Sequence, residues 1–184
     1  ILAFGEDTAG RFWVGTYSGL FRYDESTGIH TRYELDSSTF EDQRVSTIAA
    51  RKNEFWLGTL QGGIQVVNTR SGSSNAFNLN SSIGIAIADI LATDESEDLW
   101  IATYDKGLFR IRAGETRSYY ESKSLAEKTI TLLFRSKTDI FLAVSENRVY
   151  QHNPKLDQFS KIRFEFDLGE TQPIIYSFAQ AHNG

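Results

Sequence analysis

Residues 11–24 read RFWVGTYSGLFRYD, residues 54–68 read EFWLGTLQGGIQVVN and residues 98–112 read DLWIATYDKGLFRIR. One phrase is written three times: an apolar residue, a tryptophan, an aliphatic residue, a small residue and a threonine, then a turn with glycine, then a second apolar run. Aligning the chain on the aromatic position gives Trp13, Trp56, Trp100 and, in a weaker fourth copy, Phe141, at spacings of 43, 44 and 41 residues. Self-similarity at that period marks a stack of like units, and the residues say which kind. The runs are rich in Val, Ile, Phe, Tyr and Thr and are bounded by Gly, Asn, Asp or Ser, so they read as strands. The best helical candidate is the short segment 122–128, SKSLAEK, one or two turns long.

Each unit divides into four strands. The first is ILAFGED, VSTIAAR, IADILATD and TITLLFR in successive units. The second carries the tryptophan. The third is GLFRYD, GIQVVN, GLFRIR and RVYQHN, and the fourth is HTRYEL, NAFNL, RSYYE and FSKIRF. Connections this short fit an antiparallel meander. In the second strand, alternation puts Trp13, Trp56, Trp100 and Phe141 on one face, each followed two residues later by Gly15, Gly58, Ala102 or Ala143. Phe12, Phe55, Leu99 and Ile140 lie on the other. Both faces are apolar, as expected where sheets stack around an axis and bury both sides of their middle strands. The small residue is expected to let the neighbouring sheet approach closely.

The reading is therefore all-β: a β-propeller of four four-stranded antiparallel blades, at about 1–44, 45–86, 87–128 and 129–172. The last eleven residues, IIYSFAQAHNG, resemble the first ten, ILAFGEDTAG, so 173–184 is expected to be the first strand of a further blade. That makes the chain an arc of a larger propeller, its open ends covered by the remaining blades or by a second copy of the chain. Ile1 is not a natural start, which sets the true N-terminus elsewhere.

Composition narrows the function. The chain has 184 residues, 40% hydrophobic and 23% charged, enough to bury a core. A net charge of −5 argues against nucleic acid and against an anionic membrane surface. The longest apolar run, 83–90, is interrupted by Gly84 and Asp89 and is too short to insert in a bilayer. Cysteine is absent, which removes disulfides and thiolate metal sites.

The repeated phrase, preceded by Glu-Asp-x-x-Gly, resembles the two-component regulator propeller repeat. Glu6, Asp7, Gly10, Trp13, Gly15, Thr16, Gly19, Leu20 and Asp24 match it in the first unit; Trp56, Gly58, Thr59 and Gly63 in the second; Trp100, Thr103, Gly107 and Leu108 in the third. The fourth unit departs from it at Phe141 and Val144. The resemblance implies a seven-bladed ring serving as the extracytoplasmic, periplasmic sensor of a membrane-anchored bacterial regulator. It also implies an output module, a histidine kinase or diguanylate cyclase, outside this chain, and ligands that are often carbohydrate fragments.

No catalytic constellation, cofactor motif or metal set stands out. His30, His152 and His182 fall in different kinds of segment and read as surface residues. The acidic run DESED, 94–98, lacks the turn glycine of a calcium loop and reads as a solvated turn. No Gly-x-Ser-x-Gly is present. Ligand contacts are expected on the blade face that gathers the loops between second and third strands and those between blades, since loops on a rigid scaffold carry recognition. The candidates there are Tyr17, Gln61, Tyr104, Asp105, Lys106, Asn147 and Arg148. Tyr17 and Tyr104 hold equivalent places and either offers a ring to a sugar or packs the channel mouth. The expected partner is a small-molecule or oligosaccharide signal. The alternatives are a propeller lyase, which wants a His/Glu or metal cluster on that face, and a scaffold for protein contacts.

Overall fold

Every copy of the phrase forms a β-hairpin, and the residue that closes it is the threonine. Thr16, Thr59 and Thr103 each donate through Oγ1 to the carbonyl of the glycine that opens the next strand or directly precedes it, Gly19, Gly63 and Gly107, at 3.0, 3.1 and 2.8 Å. The same hydroxyls accept a loop N–H, from Ser18, Gly62 and Lys106. The glycines sit at φ of 122°, 77° and 77°, a region other residues enter only with strain. This accounts for the fixed spacing of threonine and glycine.

The computed structural model describes residues 1–7, 9–35, 42–79, 84–92, 98–136, 141–146, 148–163 and 175–177. It contains four antiparallel sheets, each of four strands in sequence order. The first holds β1 (Ala3–Glu6), β2 (Phe12–Thr16), β3 (Gly19–Asp24) and β4 (Ile29–Tyr33). The second holds β5 (Val45–Arg51), β6 (Glu54–Thr59), β7 (Ile64–Asn68) and β8 (Ser74–Phe77). The third holds β9 (Ile87–Ala92), β10 (Leu99–Thr103), β11 (Leu108–Arg112) and β12 (Glu115–Ser118). The fourth holds β13 (Leu132–Arg135), β14 (Phe141–Ser145), β15 (Arg148–Asn153) and β16 (Gln158–Ile162). These are the blades of a β-propeller. The segment 122–128 is not helical; it is a turn that tucks Leu125 into the core, where Leu125 N–H donates to Tyr119 O at 3.1 Å. Residues 173–174 and 178–184, most of the expected further strand, lie outside the described residues. Within it, 175–177 carry no strand, and Ile175 N–H donates to Glu146 O at 3.3 Å.

The sheets meet face to face, the tryptophan face of one against the other face of the next. Trp13 touches Phe55 at a ring-centroid distance of 5.0 Å. Trp56 shares a core cluster with Leu99 and Ile101. Trp100 stacks on Phe141 at 4.3 Å. The small residues act as expected: a Cβ on Gly15 would lie 2.9 Å from Val45 Cγ1, and one on Gly58 would lie 2.5 Å from Ile87 Cγ2.

The fourth sheet corrects one alignment. Phe141 does not hold the tryptophan position. Counting back from the hairpin, Ser145 pairs with Arg148 as Thr16 pairs with Gly19, so Leu142 stands where Trp13 stands, and Val144 where Gly15 stands. Phe141 is the counterpart of Phe55. It faces backward onto Trp100, and Ala143, expected to be the small partner of a tryptophan, lies on that same backward face. Matching the large aromatic ring misplaced the register by one residue, which in a strand reverses the face.

The first strands of successive sheets lie side by side at the inner edge. Ser46 Oγ donates to Ile87 O at 2.8 Å. Asp89 joins three sheets: its Oδ1 accepts from Thr47 Oγ1 at 3.2 Å and its Oδ2 from Leu133 N–H at 2.8 Å. Burial pushes the Asp89 carboxyl above the usual carboxylate range, against the pull of those donors.

Candidate functional site

The loops between second and third strands present the expected candidates to solvent. Tyr17 is 64% exposed and Tyr104 44%. Asp105, Lys106, Gln61 and Arg148 are exposed too. Asn147 lies outside the described residues.

Two polar groups fix these loops. In the first, the Asp42 carboxylate accepts from Arg44 Nε at 2.7 Å and from Gln61 N–H at 2.6 Å, and Arg44 Nη2 donates to Gln61 Oε1 at 2.8 Å. Burial raises the Asp42 carboxyl, but the hydrogen bonds from Arg44 and Gln61 outweigh it and hold the group below its usual range. In the second, Glu127 accepts from Arg148 Nη1 at 2.7 Å and from Tyr150 Oη at 2.5 Å. Burial and the Glu127 bond push the Tyr150 phenol up to about 12. Between them, Tyr104 N–H donates to Ala86 O at 3.1 Å, and Tyr104 O accepts from Thr129 Oγ1 at 2.7 Å. The backbone of this loop is thus pinned while its ring stays exposed. Arg44, Asp42 and Glu127 had no signal in the repeat, because they belong to the connections between blades, where the units differ most.

The structure also builds a polar group that sequence reading missed, on the outer part of the seam between the third and fourth sheets. Asp157 accepts from Arg110 Nη1 and Nη2 at 2.9 and 3.0 Å, from Tyr119 Oη at 2.6 Å and from Arg117. His152 Nε2 lies 2.9 Å from Asp157 Oδ1. Burial raises the Asp157 carboxyl, but the bonds from Tyr119 and His152 and the two arginines carry it down to about 2. His152 is not a surface residue: its side chain is 8% exposed among Trp100, Phe141 and Phe159, and burial lowers its basicity. His30 is exposed and leans on Tyr23 at 4.9 Å, and His182 lies outside the described residues. Of the acidic run, 94–97 lie outside them as well, while Asp98 is buried and paired with Arg112 rather than solvated.

No group of three His, Cys, Asp or Glu side chains able to hold a metal occurs among the described residues. No helix among them is long and apolar enough to cross a membrane.

No family model matches the chain, and no curated relative does. Solved structures match its fold. The chain superposes with a TM-score of 0.70 on the extracellular domain of the candidate one-component system BT4673 from B. thetaiotaomicron, at 21% identity over 89% of this chain. A second structure of the BT4673 domain, described as a hybrid two-component system, gives a TM-score of 0.71 at 21% identity over 88% of this chain. The extracellular domain of the candidate hybrid two-component system BT3049 from the same organism gives 0.69 at 15% identity over 88% of this chain. The chain spans 24% of the length of each of these domains, so its fold is that of part of a larger propeller-type domain.

Proposed function

We propose that the chain is an arc of the sensor domain of a membrane-anchored bacterial signal-transduction regulator. The domain lies outside the cytoplasm, in the periplasm, and passes ligand occupancy to an output module beyond this chain. The observation that carries this reading is the match of its four blades to extracellular domains of candidate one- and two-component systems, together with the phrase that resembles the regulator propeller repeat. The binding surface is the loop face bearing Tyr17, Gln61, Tyr104, Asp105, Lys106 and Arg148, with Arg44 and Glu127 as supports. Two exposed tyrosines beside fixed Arg, Asp and Gln groups suit an uncharged or weakly charged hydroxylated ligand, an oligosaccharide being the first class to try.

The remaining blades are the chain's first partners. Phe4 and Phe12 are 67% and 39% exposed on the face of the first sheet that, in later sheets, receives the tryptophan of the preceding blade. That face is built to be covered. The test is a thermal-shift screen of oligosaccharides on the full-length protein. Hits are then followed in the wild type and in a Tyr17→Ala, Tyr104→Ala double variant by the activity of the output module. A ligand that raises Tm and changes output in the wild type but not in the variant supports the reading; a ligand response untouched by the double variant rejects this face.

A further inference from the structure

The three seams between sheets carry the same positions with different residues. At the seam between the third and fourth sheets these are Trp100, Arg110 opposite it, Tyr119 directly after the last strand and Asp157, which fills the space between them. At the middle seam the positions of Arg110 and Tyr119 are Val66 and Phe77, which pack into an apolar core. At the first seam the arginine and tyrosine return as Arg22 and Tyr33, around Trp13. Trp13 meets Tyr33 at 5.3 Å, as Trp100 meets Tyr119 at 5.3 Å.

What does not return is the carboxylate. Asp157 is the last residue of a four-residue turn closed by Asn153 and Gln158. The corresponding turn of the second sheet is closed by Asn68 and Ser73, which puts Gly72 in the aspartate's place. Both residues are left-handed, at φ of 51° and 72°. Tyr33 Oη donates to Gly72 O at 3.3 Å, and a Cβ on Gly72 would lie 3.4 Å from that hydroxyl. With no side chain there, a cavity of about 200 Å³ opens among Arg11, Trp13, Arg22, Tyr33, Phe55 and Thr69.

Its lining is positive. Arg11 is held by Asp7 at 2.6 Å, and Arg32 at the rim reaches Gln43 at 2.5 Å and Glu34 at 4.0 Å. Arg22 forms no ion pair among the described residues. The acid it influences, Asp24, is occupied by Ser26 N–H and Oγ at 2.9 and 2.6 Å. An arginine in an aromatic-walled cavity favours a planar anion that can take two of its N–H groups.

We infer that the cavity between the first and second sheets is a binding site for a small organic carboxylate, held by Arg22 and by the Tyr33 hydroxyl, which turns from Gly72 O to the ligand, in the way Arg110 and Tyr119 hold Asp157. The fourth sheet carries its own carboxylate into the equivalent cavity; the second leaves it to a ligand. The site lies toward the turn end of the blades, away from the loop face, and does not depend on that face's role.

The test is calorimetric titration of the full-length protein with benzoate, with acetate, with benzamide as the neutral isostere and with inorganic phosphate. Two variants accompany it: Arg22→Val, the residue of the middle seam, and Gly72→Asp, which supplies the missing carboxylate from the chain itself. The expected result is saturable benzoate or acetate binding, at least tenfold weaker in either variant, with benzamide silent. Arg22→Val alone carries the comparison if Gly72→Asp does not fold. Binding that is equal in wild type and Arg22→Val, a preference for phosphate, or no saturable carboxylate binding would each overturn the inference.

Discussion

Tyr119 of the third sheet donates its hydroxyl to Asp157 of the fourth at 2.6 Å, across the seam between them. Neither residue belongs to the repeated phrase. Asp157 occupies a left-handed turn position, φ 51°, where the first two sheets have Gly28 and Gly72 at 70° and 72°. Aspartate tolerates that region better than most side chains. The carboxylate therefore stays where it can link two blades by charge-assisted bonds.

Asp157→Asn tests this link while keeping a side chain suited to the turn. It removes the charge that Arg110 and Arg117 face, and should cost about 1–3 kcal/mol by chemical denaturation. The acid limb checks the sign. The folded carboxyl, at about 2, lies below the ordinary 3.8, so its contribution is full above pH 4 and is lost as pH falls toward 2. That contribution is about 2 kcal/mol in the wild type, and the variant should show a shallower acid limb.

His152 gives a second window at higher pH. Burial among rings lowers its folded pKa below the ordinary 6.5, although Asp157 opposes the shift. The unfolded chain thus takes up the proton first, and stability falls as pH drops below 6.5. Denaturation at pH 7.5 and 5.5 should show a loss in the wild type that His152→Leu abolishes.

Gly58→Val should destabilise by about 1–3 kcal/mol or more through overpacking. The added Cβ alone would sit 2.5 Å from Ile87 Cγ2 and 2.6 Å from Thr47 Cγ2. Urea melts of the pair of variants Gly58→Val and Gly58→Ala would grade the response by size.

Asp89→Asn probes the inner edge. The carboxylate accepts N–H bonds from Ile90 and Leu133 on its two oxygens, at 2.9 and 2.8 Å. An amide has one acceptor and would turn a donor toward one of these N–H groups, a cost of about 1–3 kcal/mol in melts.

The parts of the fold legible in the sequence are those that physical constraint repeats. Trp13, Trp56 and Trp100 with their small partners announce a stacking face, and Thr16, Thr59 and Thr103 announce the hairpin. In the fourth unit the ring of Phe141 is a false marker of the tryptophan position. Ser145, a hydroxyl at the hairpin end, was the better guide, since hairpin geometry fixes register where packing allows substitution. The loop positions of Tyr17, Tyr104 and Arg148 followed from topology alone. The inter-blade loops 36–44 and 123–128 follow from it too, but the contacts that Asp42, Arg44 and Glu127 make there do not, because contacts between connections far apart in sequence leave no period. The same holds for Asp157, whose role depends on an arginine and a tyrosine in another blade.

Hydroxyl-radical footprinting of the full-length protein tests most directly whether this arc sits within a larger sensor propeller. Phe4 and Phe12 should be protected, covered by a further blade, while Tyr17 and Tyr104 react freely. Reaction at Phe4 and Phe12 as strong as at Tyr17 would contradict it.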